Sequence, residues 1–160
     1  MRTAAPTQVH VPMNDLALQH ATIASEIEEV IRETVQNCSF ILGPATAAFE
    51  QAYASFCDVD HCVGVSNGTD ALTLALKCLD LKPGDEVITT PHTFGATAEA
   101  IGHLGARIVF ADVEEDYLTL DSARVQEKVT DRTRVIMPVH IYGHPADMDP
   151  LKEIAQASGA

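Results

Sequence analysis

The sequence predicts an α/β fold, in which a mainly parallel sheet carries helices on both faces. Between residues 61 and 157, short apolar runs rich in β-branched residues alternate with amphipathic segments, and turn-forming residues separate the two. Strands of a parallel sheet are joined by crossover helices and read as continuous apolar runs, because both of their faces are covered. The carboxyl ends of such strands meet at one edge of the sheet, where we expect the functional residues.

Two helices are predicted before the first strand. Residues 23–31 carry isoleucine and valine at helical spacing with acidic residues on the opposite side, which is typical of an amphipathic helix. Gly43 and Pro44 begin a second helix, with Pro44 near its first position. We expect this second helix to be buried through a face that carries Phe49, Ala52, Tyr53 and Phe56.

From residue 61 onward, strands and helices alternate. Strands are predicted at residues 61–65, 86–90, 107–110 and 135–139. Helices are predicted after the turn at 66–72 and then at residues 94–104, 121–129 and 148–157. Gly105 is expected to end one of these helices and Asp121 to cap the next, because glycine often follows a helix and aspartate accepts hydrogen bonds from first-turn amides.

Charge and composition limit the classes of function. The chain has 10 Lys and Arg residues against 23 Asp and Glu residues, a formal net charge of −13, which disfavours nucleic acid as a partner. No apolar stretch reaches the roughly 18 residues of a membrane-spanning helix, so we expect no membrane association. The N-terminus does not resemble a secretion signal, and we therefore expect a cytoplasmic protein.

The sequence contains no familiar nucleotide-binding motif and no cysteine pair with metal-binding spacing. The sequence contains neither the GxGxxG dinucleotide motif nor the GxxxxGK[ST] phosphate loop. Cys38, Cys57, Cys62 and Cys78 form no CxxC pair and have apolar neighbours. We expect buried, reduced thiols at these positions, and neither disulfides nor a metal site.

The segment Ser-Asn-Gly-Thr-Asp-Ala-Leu at residues 66–72 leaves a predicted strand and opens a helix. The amides of Gly68, Thr69 and Asp70 are then among the donors that a first helical turn leaves unpaired, and the helix dipole favours an anion there. Glycine permits close approach, and Thr69 adds a hydroxyl donor. This turn predicts a phosphate site. The alternatives are an ordinary helix start capped by Thr69 or Asp70, and a hairpin turn at Asn67-Gly68, which the leucine spacing disfavours.

Two further loops follow predicted strands. Phe94 could stack on a flat ring beside an anion site, or it could be a core residue. His140 and Tyr142 leave the last strand in a loop rich in turn formers, where a packed histidine with one hydrogen bond is favoured over a catalytic one. A metal pair of His140 and His144 is disfavoured, because a glycine and a proline interrupt any common helix.

Taken together, these motifs resemble those of the DegT/DnrJ/StrS family of sugar aminotransferases, from about residue 11 to residue 160. The resemblance rests on the order and spacing of several segments. They are ILGP at 41–44, NGTDAL at 67–72, PGDEVI at 83–88, TF at 93–94, AT at 96–97, PVH at 138–140 and YGHPADMD at 142–149.

The resemblance implies the fold of the aspartate-aminotransferase superfamily (PLP fold type I), with pyridoxal 5'-phosphate as cofactor at the sheet edge. In such enzymes the turn that matches Gly68 and Thr69 holds the cofactor phosphate. The aromatic residue that matches Phe94 lies against the pyridine ring. Asn67 belongs to the same turn and is expected to bind cofactor as well, although many relatives have serine at this position.

The resemblance also implies transfer of an amino group to a nucleotide-linked keto sugar, with glutamate as amino donor and a homodimer as the active assembly. Residues 1–160 would comprise an N-terminal arm and an incomplete PLP-binding large domain. The lysine that carries the cofactor and the aspartate that pairs with its ring nitrogen are expected beyond Ala160, so no catalytic residue is assigned in this chain. Without them we expect the chain to be inactive alone. The lysines that lack the matching context are Lys77, Lys82, Lys128 and Lys152.

Three alternatives remain open at this point. A non-catalytic or regulatory homologue would keep the Gly68-Thr69 turn without the later lysine. A sugar dehydratase of the same fold would have histidine in place of that lysine. A flavodoxin-like binding domain would be complete at 160 residues, but the order of the motifs disfavours it.

Overall fold

The computed structural model describes residues 11–160, and residues 1–10 of the predicted N-terminal arm lie outside the described part. The chain divides into two compact units, residues 1–64 and residues 65–160. The described part of the first unit is helical, and the second unit contains the sheet. The candidate functional residues named above belong to the second unit.

The first unit contains two helices, α1 (Leu16–Gln36) and α2 (Pro44–Phe56). Asp15 caps α1 by accepting a hydrogen bond from the Leu18 amide at 2.9 Å. None of the side chains of α1 is buried, so the apolar face predicted at residues 23–31 is exposed. Within residues 11–160, no helix combines the length and the apolar content needed to cross a bilayer.

Helix α2 begins at Pro44, as the sequence predicts, but its predicted burial through aromatic side chains is wrong. Ala54 is buried, whereas Phe49, Tyr53 and Phe56 are 59%, 50% and 85% exposed. The three rings lie along the helix with centroid separations of 5.6 and 6.3 Å. They remain exposed because α1, the other helix of residues 11–64, does not pack closely against α2.

The second unit has the predicted α/β architecture. Its three strands form a parallel sheet in the order β2-β1-β3. The mainly parallel sheet predicted from the sequence is therefore confirmed. In chain order the elements are α3 (Gly68–Cys78), β1 (Glu86–Thr89), α4 (Ala96–His103), β2 (Arg107–Phe110), α5 (Ser122–Lys128), β3 (Thr133–Ile136), a 3-10 turn (Ile141–Gly143) and α6 (Met148–Ser158).

Helices cover both faces of this sheet, as predicted. Ile88 of β1 belongs to one buried cluster with Val125 of α5 and Leu151 of α6. Val87, the preceding residue, belongs to a second buried cluster with Ile101 of α4. Successive side chains of a strand point to opposite faces, so the two clusters lie on opposite sides of the sheet.

One of the predicted strands does not form, and two others have different bounds, since β1 ends at Thr89 rather than at residue 90. Residues 61–65 form no strand, because a strand needs a ladder partner and none of β1, β2 and β3 pairs with this segment. Strand β3 spans Thr133–Ile136 rather than residues 135–139. The Met137 amide still donates to the Ile88 carbonyl at 2.8 Å, but Pro138 has no N–H with which to continue the ladder.

The cysteines are not buried as predicted. Cys38, Cys57 and Cys78 are exposed, and Cys62 is half-buried. Cys57 follows the last residue of α2, and Cys78 is the last residue of α3. Apolar neighbours in the sequence do not imply burial at such positions, because helix ends lie at the surface where loops begin.

Candidate functional site

A cavity of about 540 Å³ lies where three segments of the second unit meet. The segments are the start of α3, the loop from β1 to α4, and the chain that leaves β3. The loop after β1 and the chain after β3 follow the carboxyl ends of adjacent parallel strands, where ligands bind in open α/β sheets. The cavity volume is in the range of small-molecule sites. The lining residues are Gly68, Thr69, Leu72, Thr93, Phe94, Ala96, Thr97, Val139, His140 and Ile141.

The start of α3 is organised by Asn67. Its side-chain oxygen accepts the Asp70 amide at 2.9 Å, and its side-chain nitrogen donates to the Asp70 carboxylate at 2.9 Å. The Ser66 hydroxyl donates to the same carboxylate. The capping residue is therefore Asn67, and the alternative of a cap by Thr69 or Asp70 is wrong, because Asn67 is the residue whose side chain reaches the third amide of the helix.

The amides of Gly68 and Thr69 are available to a ligand. They are the first two of the helix, and neither donates a hydrogen bond to a protein acceptor in the described chain. A Cβ built on Gly68 would meet no heavy atom within 4 Å, so the space beside this amide is open. Gly68 and Thr69 both line the cavity, and the free amides of a first helical turn fit an anion. The Asp70 carboxylate in the same turn accepts hydrogen bonds from Ser66 and Asn67.

Phe94 lines the same cavity and is 80% exposed, so the alternative that it is a core residue is wrong. Hydrogen bonds made by residues before and after Phe94 order the loop that contains it. Thr93 and Thr97 share a hydrogen bond between their hydroxyls at 2.8 Å, and the Thr97 amide donates to the Phe94 carbonyl at 3.1 Å. Because Thr97 is buried, the ring of Phe94 is attached to an ordered turn at the start of α4.

His140 also lines the cavity. The sequence favoured a packed histidine with one hydrogen bond over a catalytic one; the residue is exposed, so its predicted packing is wrong, whereas one hydrogen bond is present. Its Nδ1 atom accepts a hydrogen bond from the Ala146 amide at 3.0 Å. Its neighbour Tyr142 is not among the lining residues and instead contacts His92, with ring centroids 5.8 Å apart. The signal in the sequence was the position of His140 just after a strand, and its local sequence gave no sign of the contact with Ala146.

The chemical character of the lining is simple. It offers two helix amides, three threonine hydroxyls and one imidazole among apolar groups, and it contains no carboxylate and no lysine. The four lysines of the chain lie elsewhere on α3, α5, α6 and the turn before β1. Within residues 11–160 there is also no group of three or more His, Cys, Asp or Glu side chains arranged to hold a metal ion. The cavity is thus suited to an anion attached to a flat, largely uncharged ring.

Comparisons with known proteins identify relatives of this chain. A transaminase of Streptomyces venezuelae, dTDP-3-amino-3,4,6-trideoxy-alpha-D-glucose transaminase, is 43% identical over 93% of this chain and 39% of its own length. The X-ray structure of S. venezuelae DesV in complex with a ketimine intermediate matches with a TM-score of 0.90 and 43% identity, over 93% of this chain and 40% of DesV. The crystal structure of NtdA from Bacillus subtilis with bound cofactor PMP matches with a TM-score of 0.83 and 30% identity, over 85% of this chain and 31% of NtdA.

These matches define the fold of the chain. The predicted partial domain of the PLP-dependent aminotransferase fold is confirmed, and the chain spans about 40% of the length of the curated relatives it matches. A model of the DegT/DnrJ/EryC1/StrS aminotransferase family matches residues 21–160. The chain therefore belongs to the DegT/DnrJ/EryC1/StrS aminotransferase family.

Proposed function

We propose that this chain provides the phosphate and ring contacts of a pyridoxal 5'-phosphate site, in an enzyme that transfers an amino group to a nucleotide-linked keto sugar. The observation that carries the proposal is the single cavity that combines the open amides of Gly68 and Thr69 with the exposed ring of Phe94. The nucleotide-sugar names of related transaminases support the substrate class. Glutamate as donor, a homodimer and a cytoplasmic location remain parts of the same proposal.

Each residue has a distinct task in this proposal. The amides of Gly68 and Thr69 and the Thr69 hydroxyl bind the phosphate, with the helix dipole adding to the attraction. Phe94 packs against the pyridine ring, since an aromatic face accepts a second flat ring in an offset stack. Asn67 fixes the first turn of α3 through its contacts with Asp70, and its direct contact with the cofactor stays a prediction.

Pyridoxal phosphate, when bound, supplies the electron sink on which amino transfer depends. The residues of this chain bind and orient it and shield one side of its ring from water. No lysine lines the cavity, so we propose that these 160 residues hold the cofactor without a covalent bond. Binding without amino transfer is accordingly the expected behaviour of the 160-residue chain, and amino transfer by it alone would contradict this part of the proposal.

Replacement of Thr69 by valine tests the phosphate contact. The variant keeps the shape of the side chain and removes its hydroxyl, so affinity for pyridoxal phosphate is expected to fall about tenfold to a hundredfold, the effect of one hydrogen bond to a charged group. Titration of the protein with pyridoxal phosphate measures this. Thr73→Val is the matched control, because Thr73 lies one turn later and its hydroxyl donates to the Thr69 carbonyl at 3.0 Å, outside the cavity lining. Equal affinities in the two variants would contradict the proposed contact.

Replacement of Phe94 by leucine tests the ring contact. Loss of the stacking interaction is expected to weaken pyridoxal phosphate binding about twofold to tenfold, while competition by inorganic phosphate stays unchanged because the amides are untouched. Phe56→Leu is the control, since this ring is 85% exposed and lies on α2. A loss of phosphate competition in Phe94→Leu would mean that the ring acts on the α3 turn and not on a ligand ring.

A further inference from the structure

We propose that His140 is a further binding residue of this site, which donates a hydrogen bond from Nε2 to the part of the cofactor away from its phosphate. The inference rests on the proposed function and extends it to a group that the sequence assigned to packing. His140 lies four residues after the end of β3 and lines the same cavity as Gly68, Thr69 and Phe94. Because β3 is adjacent to β1 in the sheet, the loops that carry His140 and Phe94 leave neighbouring strands.

The hydrogen bond to Ala146 determines which nitrogen of His140 is a donor. A backbone amide can only donate, so the Nδ1 atom that it contacts at 3.0 Å must carry a lone pair. The neutral imidazole then has its proton on Nε2. His140 is therefore a donor at its free nitrogen, and this is the nitrogen left for a ligand.

The orientation of His140 is held by the core. Ala146 is 4% exposed and belongs to the buried cluster that includes Ile88 and Leu151, so its amide is a fixed partner. Between the two residues the chain turns through Tyr142 at φ 54° and Gly143 at φ 82°. A tyrosine in the left-handed region is uncommon, and such conformations persist where the surrounding structure determines them, often at functional sites.

The part of the cofactor away from its phosphate also needs a hydrogen-bond donor from the cavity lining. The Gly68 and Thr69 amides are assigned to the phosphate. The hydroxyls of Thr93 and Thr97 share one hydrogen bond at 2.8 Å, which uses the proton of one of the two. The Nε2–H group of His140 makes no hydrogen bond within the described residues, and it is the imidazole donor of the lining that is open to the rest of the ligand.

Affinity measurements separate this binding role from a purely structural one. In His140→Leu, affinity for pyridoxal phosphate is expected to fall about tenfold, the effect of one lost hydrogen bond, while inorganic phosphate competes as it does in the unaltered protein. His140→Asn, which keeps an acceptor and an N–H donor, is expected to recover part of the loss. His144→Leu is the matched control, because His144 lies in the same loop but stacks on Tyr117 with centroids 4.6 Å apart and does not line the cavity.

Each other result overturns the inference. If His140→Leu weakens pyridoxal phosphate and inorganic phosphate equally, His140 acts only on the shape of the site. If His140→Leu keeps the affinity of the unaltered protein for pyridoxal phosphate while Thr69→Val loses affinity, the proposed cofactor site is supported and the proposed role of His140 is wrong. If the unaltered protein binds no pyridoxal phosphate, the proposed function itself fails.

Nitrogen-15 NMR of the imidazole gives a readout that does not depend on the variants. In the ligand-free protein we expect the neutral form with the proton on Nε2. Addition of pyridoxal phosphate is expected to shift this Nε2–H resonance, and addition of inorganic phosphate is not. A proton on Nδ1, or an identical response to the two ligands, would contradict the inference.

Discussion

Replacing Ile88 with alanine is expected to lower the free energy of unfolding by about 3 to 5 kcal/mol. Ile88 lies in the central strand β1, has no exposed surface, and packs in the cluster formed with α5 and α6. The shorter side chain removes apolar contacts and leaves a cavity that the strand cannot close, because both neighbouring strands hold β1 in place. Urea unfolding followed by circular dichroism at neutral pH measures the change.

The matched control is Ile31→Ala on α1. Ile31 is 58% exposed, so the same chemical change is expected to alter the free energy of unfolding by no more than about 0.5 kcal/mol. Equal effects at the two positions would mean that the sheet does not form the stable core of this chain. The result is also relevant to the candidate cofactor site, because the loop that contains Phe94 follows β1.

Local signals explain why much of the fold could be predicted from the sequence. Pro44 begins α2 and Asp121 caps α5, where its carboxylate accepts the Ala123 amide at 2.8 Å, because these effects depend only on residues within one helical turn. Strand β2 has the predicted bounds Arg107–Phe110, since Gly105 in the left-handed region separates it from α4. Elements defined by their own residues are thus the ones that the sequence predicts well.

Features that depend on distant partners could not be predicted in this way. Residues 61–65 have the composition of a strand, but a strand also requires a paired neighbour. The aromatic face of α2 has the spacing of a buried face, but burial requires an element to cover it. The hydrogen-bond partner of His140, the buried Ala146, lies six residues further along the chain beyond a turn, so the local sequence did not identify it. The start of α3 at Gly68 could be predicted because its signals belong to one helix start. Its role as an anion site stays a prediction, and the assignment to a cofactor came from the resemblance.

At the opposite end of the sheet, Glu86 is a buried carboxylate held by a network of donors. It is the first residue of β1 and only 2% exposed. Its carboxylate accepts the Thr130 hydroxyl at 2.6 Å and the Arg132 guanidinium at 2.9 Å, and Arg107 of β2 lies at 3.4 Å. The Thr130 hydroxyl and the Arg132 guanidinium hold the pKa of Glu86 below its ordinary value, although burial opposes them. This network links residues at the amino ends of all three strands.

The lowered pKa determines how the contribution of Glu86 depends on pH. The folded protein binds the Glu86 proton less tightly than the unfolded chain does, so the ionised carboxylate stabilises the fold. This contribution is fully present at pH values above the ordinary pKa of glutamate and is lost as the pH falls through the lower folded pKa. The network therefore stabilises the sheet at neutral pH and ceases to do so in acid.

Replacement of Glu86 by glutamine is expected to lower the free energy of unfolding by about 2 kcal/mol at neutral pH, the effect of losing charge-assisted hydrogen bonds. The difference between variant and unaltered protein should shrink as the pH falls, because protonation removes the same charge from Glu86 itself. Urea unfolding at a series of pH values measures both effects. Glu127→Gln is the control, since Glu127 is an exposed carboxylate paired with Arg124 at 3.0 Å, and such pairs contribute little. A difference that stays constant from neutral to acid pH would show that Glu86 acts through its shape and not through its charge.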